Sequence, residues 1–506
     1  MSVKKNVIAN YFGQGWSAVM ALAFLPLYID YLGIESYGII GVYVIIQSAL
    51  GLLDIGMTPT LNREMAKFSA GAHSPQSIRN LLRTLEFICF SIALMGGIVI
   101  WMLSDFLAAS WLIVKEVPVS TVAESIAIIA LVVSLRFCEG IYRGSLYGLS
   151  KQVWYNCVNA FITTLRYGGA VLVLAFYSPS IIAFFVWQAL VSIIAVVVFA
   201  FKVHRTLPTS PSRTTFSISA LQEIRHFAIG MLIIALLSMA LTQAVPLLLS
   251  HLLTLENFGY YSLAVVVAST ITTMFLPVVQ AVYPRMVEQI TTDNLKGLVK
   301  TYHQSAQLIT VITVPAALLV SVFSYEVIYA WSGNLELAKN TAPILSVYAI
   351  GTLLNGFMTL PYYLQIASGW TSLGIKTNIV AILFVVPAVF LIVPHYGGVG
   401  GAWIWLALNI GYVLFVIPFM HKRLIMKEMG IWYIKDLLLP ISGAFLVILI
   451  AKFVPIYKTQ SRVILVTFFI FVGLLSVAAT FVLAGKIREQ IFVYIRQFFV
   501  LKPPNT

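Results

Sequence analysis

Apolar runs about as long as a bilayer is thick recur along almost the whole chain, and no other feature restricts its fold so strongly. About 20 residues of α-helix cross a hydrocarbon core, and a helix is one of the few structures that satisfies its own backbone polar groups there. The runs fall near 7–31, 39–60, 84–112, 121–147, 153–177, 181–201, 227–250, 259–281, 305–330, 341–366, 379–396, 401–420, 437–454 and 462–484. They predict an all-α polytopic membrane protein of about 14 transmembrane helices. Charged residues make up 10% of the 506, against about 25% in ordinary soluble proteins. That is too few to cover a water-facing surface.

The net charge of +13 raises the question of nucleic acid, and the placement of the charges answers it. Of 31 Lys and Arg residues, twenty-four collect on one side of the predicted membrane. Lys115, Lys339, Lys452, Lys458 and Arg462 fall on the other, and Arg136 and Arg166 lie inside helices. This is the positive-inside distribution. It predicts a multi-pass protein of the inner (cytoplasmic) membrane with both termini in the cytoplasm, with membrane lipid and no nucleic acid as its surroundings. The run after Asn6 is long enough to span and lacks a cleavable exit, so it reads as the first helix and not as a signal peptide. Cys89, Cys138 and Cys157 sit inside apolar runs and predict no disulfide.

An internal repeat organises the chain. Pro26-Leu27, Glu35-Ser36-Tyr37-Gly38 and Arg63 are answered by Pro246-Leu247, Glu256-Asn257-Phe258-Gly259 and Arg285, and Gly148 and Asn156 by Gly369 and Asn378. A nearly constant separation across these landmarks predicts two pseudo-symmetric six-helix lobes in parallel orientation. The expected organisation is an N-lobe at 1–201, a cytoplasmic linker at 202–226 carrying Pro208 and Pro211, a C-lobe at 227–420, and two C-terminal helices with a tail at 421–506. The basic and aromatic stretch from Lys486 to Val500 suits the inner membrane surface as well as it suits water.

The charges inside the membrane are the candidate functional residues. A charge near the bilayer centre costs about 2.5–3.5 kcal/mol on insertion scales, so each needs a reason. Arg136, Glu139 and Arg143 share one helix face; Asn156, Asn159, Thr163 and Arg166 share another; Gln47, Gly51, Asp54 and Thr58 form a third. Such stripes face a cavity or a partner, not lipid. The corresponding positions of the second half are Ala381, Val385 and Ala388 for Asn159, Thr163 and Arg166, Met358 for Arg136, and Phe275 or Leu276 for Asp54. The first half is therefore the specialised one. Two readings are open: a cationic cavity, or neutralised pairs such as Arg136 with Glu139 or Arg166 with Asp54. Gly140, Gly144 and Gly148 read as a close helix contact. Pro26, Pro246, Pro277 and Pro361 read as kinks, and Trp331, Trp370, Trp432 and Tyr433 as interfacial anchors. The seven histidines, His73, His204, His226, His251, His303, His395 and His421, read as scattered near helix ends.

Nucleotide-binding, metal and nucleophile motifs are absent from the sequence. There is no Walker A loop, no H-E-x-x-H, no paired-cysteine metal site and no nucleophile elbow. The chain is expected to be a transporter and not an enzyme, with neither cofactor nor metal.

The opening of the chain, with Tyr37-Gly38, Leu52-Leu53-Asp54-Ile55-Gly56 and Asn62-Arg63-Glu64, resembles polysaccharide exporters of the Wzx flippase type. These share a superfamily with lipid II flippases and multidrug and toxin extruders. The resemblance implies translocation of an undecaprenyl-diphosphate-linked oligosaccharide, such as an O-antigen unit of lipopolysaccharide biosynthesis, from the cytoplasmic to the periplasmic leaflet by alternating access. It also implies a polysaccharide polymerase and chain-length proteins as partners. On this reading Arg136, Arg166, Arg143, Asn159, Thr163 and Gln47 line the transport cavity, where arginine suits a diphosphate. Asp54 and Glu139 are the candidates for carrying a coupling proton or sodium ion, and the membrane potential itself can drive an anion outward. The rival readings are a sodium- or proton-coupled multidrug extruder and a non-transporting scaffold for glycan assembly.

Overall fold

The computed structural model describes residues 3–54, 57–69, 74–209 and 243–489, and these are helical almost throughout, with no strand among them. The predicted linker from 210 onward, the first part of the predicted span 227–250, His73, His226 and the tail beyond 489 lie outside the described residues. Two compact units divide at Gly259 and Tyr260.

The first unit contains α1 (Val3–Ala23), α2 (Leu25–Leu32), α3 (Ile34–Gly51), α4 (Met57–Ser69), α5 (Pro75–Met102), α6 (Val119–Gly148), α7 (Gln152–Phe176) and α8 (Ile181–Thr206). The α1 and α2 break at Phe24 puts Pro26 in the first turn of α2, where its missing N–H leaves no helix bond unmade. The run expected as one helix over 39–60 is instead α3, a 3-10 turn at Leu52–Asp54, and α4. The centre of the unit is α6, which packs on α3, α4, α5 and α8. Its Gly140 and Gly144 explain the close approach of α4. A Cβ on Gly144 would stand 2.4 Å from the Thr58 carbonyl oxygen, and one on Gly140 would stand 3.0 Å from Thr58 Oγ1.

The second unit is built on α9 (Leu255–Thr291, begun in the first unit), α10 (Leu295–Val322), α11 (Leu335–Ala367), α12 (Thr371–Gly411), α13 (Ile417–Leu424), α14 (Leu439–Phe453) and α15 (Arg462–Leu483). In its core α10 packs on α11, α14 and α15. The runs 379–396 and 401–420 are joined in one long helical path, and Gly397, at φ 57° and ψ −140°, interrupts it between them. Among the described residues twelve helical segments are long and apolar enough to cross a membrane, with this path counted as one; Gln243–Leu252 is a shorter apolar helix. Large apolar side chains such as Phe87, Leu94, Met95, Trp101 and Met102 stand exposed on α5, as a helix facing lipid requires.

Helix boundaries repeat as the landmarks do. In the first half α3 begins at 34 and α5 spans 75–102; in the second α9 begins at 255 and α10 spans 295–322. The repeat also produces a reciprocal contact inside the first unit. A Cβ on Gly38 would meet the Leu255 carbonyl oxygen at 2.3 Å, and one on Gly259 would meet that of Ile34 at 2.5 Å. Related glycines thus let the starts of α3 and α9 cross backbone to backbone.

Candidate functional site

Within the first unit α3, the turn at Leu52–Asp54, α4, α6 and α7 enclose a cavity of about 420 Å³. Its polar lining comprises Gln47, Asp54, Thr58, Arg136, Glu139, Arg143 and Tyr155, so five of the eight expected site residues meet there. Each is delivered by helix geometry. Arg136, Glu139 and Arg143 stand three and four residues apart and share one face of α6. Gln47 lies one turn before the end of α3, and Asp54 sits in the break that follows.

The pairing differs from both pairs suggested by spacing. Arg166 is buried on α7, where its Nη2 donates to Glu139 Oε1 at 2.9 Å and to Ser192 Oγ at 3.4 Å. Its Nε has no hydrogen-bond partner among the described residues. Arg136 donates from Nη1 to the Tyr43 hydroxyl and to Gln47 Oε1, both uncharged. Asp54 accepts from Thr58 N at 3.2 Å and Thr58 Oγ1 at 2.9 Å, and so caps the first turn of α4. With Glu139 taken by Arg166, the lining keeps two cations, Arg136 and Arg143, against one carboxylate, Asp54. Among the described residues neither of those cations is in an ion pair.

Arg166, Asn159 and Thr163 are not among the residues that line the cavity; Thr163 is buried in the packing of α7. The second half fills the corresponding positions with core. Ala381, Val385 and Ala388 are buried there, and Phe275 is 1% exposed.

Several charged positions took on roles that spacing did not suggest. Glu35, a landmark of the repeat, is buried, and its carboxylate accepts from the backbone N–H groups of Lys115, Glu116 and Val117 at 2.6, 2.7 and 3.1 Å. Glu86 is buried and accepts from the Tyr142 hydroxyl, with His204 Nε2 2.8 Å away. Trp432 is no interfacial anchor: at 1% exposure it packs in the core of the second unit beside His421. His303 and His421 are fully buried. The carboxylate partners of His303, Asp436 and Glu428, lie more than a hundred residues away in sequence, so no local pattern could have disclosed them.

Residues 32–334, more than half of the chain, match the family described as polysaccharide biosynthesis protein. The chain belongs to that family. A relative in Shigella flexneri named "Putative O-antigen transporter" is 21% identical over 407 residues, 80% of this chain and 94% of that one. The lipid II flippase MurJ, in an inward closed conformation, superposes with a TM-score of 0.69 at 14% identity, covering 94% of this chain and 98% of that one. An inward-facing multidrug resistance transporter of the MATE family and MOP superfamily gives 0.58 at 14%, covering 84% and 96%. This member of the polysaccharide biosynthesis family therefore has the fold of the superfamily that its opening residues resemble. The relatives are named as transporters and flippases.

Proposed function

We propose that this chain is a flippase that carries undecaprenyl-diphosphate-linked oligosaccharide repeat units from the cytoplasmic to the periplasmic leaflet by alternating access. The observation that carries the proposal is the presence of Arg136 and Arg143, with no carboxylate of their own, in a cavity walled by otherwise apolar membrane helices. Two guanidinium groups suit a diphosphate because each planar fork can hold two phosphate oxygens. The diphosphate binds in the cavity, and the prenyl tail stays in lipid. Each negative charge moved outward gains about 2.3 kcal/mol per 100 mV of membrane potential, so no nucleotide is needed.

The second reading, a multidrug extruder, is favoured by one observation: Asp54 and Glu139 line the same cavity, and carboxylates suit cationic drugs. Transport in proteoliposomes separates the two. A flippase moves a diphosphate-linked glycolipid and loses that activity in Arg136→Gln and Arg143→Gln. Each loss should be roughly 10- to 150-fold, the equivalent of about 1.5–3 kcal/mol for a hydrogen bond to a charged group. An extruder moves a cationic dye, and the same substitutions leave it unaffected. A chain that moves neither supports the scaffold.

A further inference from the structure

The second unit holds one buried group of charges that the cavity mechanism does not use. His303, on α10, points Nδ1 at Asp436 Oδ2 and Nε2 at Glu428 Oε2, the latter at 2.9 Å. Asp436 lies on a π-helical segment, Trp432–Leu438, and Glu428 on the 3-10 turn Met426–Glu428. Irregular helical turns of the π type recur at functional sites. Gln307 Nε2 donates to Asp436 Oδ1 at 2.9 Å, which fills that carboxylate's second oxygen. The side chains of His303 and Asp436 are wholly buried, while that of Glu428 is 22% exposed.

Counting hydrogens fixes the charge of the group. Each imidazole nitrogen faces a carboxylate oxygen, and each contact needs one proton, held by the nitrogen or by the oxygen. The three side chains then share two protons and carry a net charge of −1, whichever atoms hold them. The neighbours do not cancel that charge. His421 points Nδ1 at the Ile417 carbonyl oxygen, which only accepts, so its proton is on Nδ1 and its Nε2 receives the Tyr302 hydroxyl. Lys300 on α10, Lys422 and Arg423 on α13, Lys427 on the turn, Lys435 on the π segment and Arg488 beyond α15 are exposed. Arg423 lies over the Trp370 ring and Arg488 donates to the Val482 carbonyl. Lys486, half-buried, reaches the group only through its backbone N–H, on Gln307. No Lys or Arg among the described residues pairs with Asp436 or Glu428. The group therefore carries one negative charge that its own imidazole does not offset, and Glu428 is its only member in reach of water.

We propose that His303, Asp436 and Glu428 form a proton-binding site, loaded and emptied at Glu428, and that this proton is the coupling ion of the transport cycle. The coupling role rests on the flippase reading; the site does not. Proton uptake makes the group neutral and removes the anionic acceptor facing His303 Nε2. The charge-assisted bond that ties the Met426–Glu428 turn to α10 is then weakened. The carriers expected from sequence are less free to serve: Glu139 is held by Arg166, and Asp54 caps α4.

Two measurements on the full chain in proteoliposomes test the proposal. In pH-difference infrared spectra, the unaltered protein should gain a carboxylic-acid carbonyl signal on acidification, and Glu428→Gln should lose one carboxyl's share of it. An unchanged signal in Glu428→Gln overturns the site. Should Glu428→Gln not fold, Glu428→Asp must shift the pH midpoint of that share, and an unmoved midpoint overturns the site equally. In the second measurement, a pH gradient imposed at zero membrane potential should stimulate movement of a diphosphate-linked glycolipid in the unaltered chain. That stimulation should vanish in Glu428→Gln and be kept, with a shifted pH midpoint, in Glu428→Asp. Stimulation retained in Glu428→Gln, or absent from an active unaltered chain, overturns the coupling role. An unaltered chain that moves no glycolipid overturns the flippase reading and with it the coupling role, and the infrared result still decides the site.

Discussion

Replacing Glu139 with glutamine should destabilise the first unit more than replacing its partner Arg166, although the two share one bond. The reason is where each charge is left. Arg166 is 6% exposed, and its Nε already lacks a partner. In Glu139→Gln its charge remains in that site with only the Ser192 hydroxyl and an amide oxygen to receive it. Breaking a buried ion pair from one side costs about 3–5 kcal/mol, roughly a hundred- to several-thousand-fold in the folded-to-unfolded ratio. In Arg166→Gln the stranded group is Glu139, whose carboxylate is on the cavity lining and whose side chain is 16% exposed. Water can reach it, so the loss should be nearer the cost of one net hydrogen bond to a charged group, about 1.5–3 kcal/mol. The double replacement removes both charges and should recover most of the larger loss. Reversible unfolding in mixed micelles, followed for the unaltered chain, both single variants and the double variant, yields the coupling energy. Equal losses in the two single variants, or a double variant that loses their sum, would refute the argument from burial.

Three further outcomes follow from the same geometry. Gly144→Val should push α4 off α6, because even a Cβ would stand 2.4 Å from the Thr58 carbonyl; a loss of about 1–3 kcal/mol is expected from overpacking, read as a lowered unfolding midpoint. Glu35→Ala should strand the N–H groups of Lys115, Glu116 and Val117 and cost about 1–3 kcal/mol or more, with faster hydrogen exchange at those three amides as the local readout. Asp54→Ala should remove the bonds that cap the first turn of α4 and cost about 0.5–2 kcal/mol, read as a lowered unfolding midpoint.

Hydropathy and charge placement made the membrane class legible, because lipid imposes one rule on every span. The repeat was legible too, in the spacing that later appears as the starts of α3 and α9. The break at Leu52–Asp54 was not, since residues on either side of it are as apolar or as small as a continuous helix would use. What marks it is Asp54 capping Thr58, a local bond with no signature in hydropathy. Spacing along α6 correctly put Arg136, Glu139 and Arg143 on one face. It could not say that Glu139 would turn to α7, because partner choice depends on which side chain can be solvated in the assembled unit. Trp432 was misread for a related reason. Aromatic residues near a span's end suit both a membrane interface and a core, and only the neighbours His421 and Tyr433 decide between them.

The two halves show that the fold itself does not require the cavity. Where α3 breaks and α4 restarts around Asp54, the related α9 runs unbroken and places Phe275 in the core against Gly356. A Cβ on Gly356 would lie 2.9 Å from the Phe275 ring, so the glycine leaves room for an aromatic side chain that fills the second half's interior. Met358, at the position related to Arg136, packs against that same cluster. One set of helices is thus satisfied by an apolar filling and its repeat holds three arginines and two carboxylates, each costing about 2.5–3.5 kcal/mol at the bilayer centre before its partners are counted. Pairing explains Arg166 with Glu139, and capping explains Asp54. Neither explains Arg136 and Arg143, which keep their charge toward the cavity with neutral neighbours or a shared carboxylate. Those two residues are where structural need ends and the argument for an anionic ligand begins.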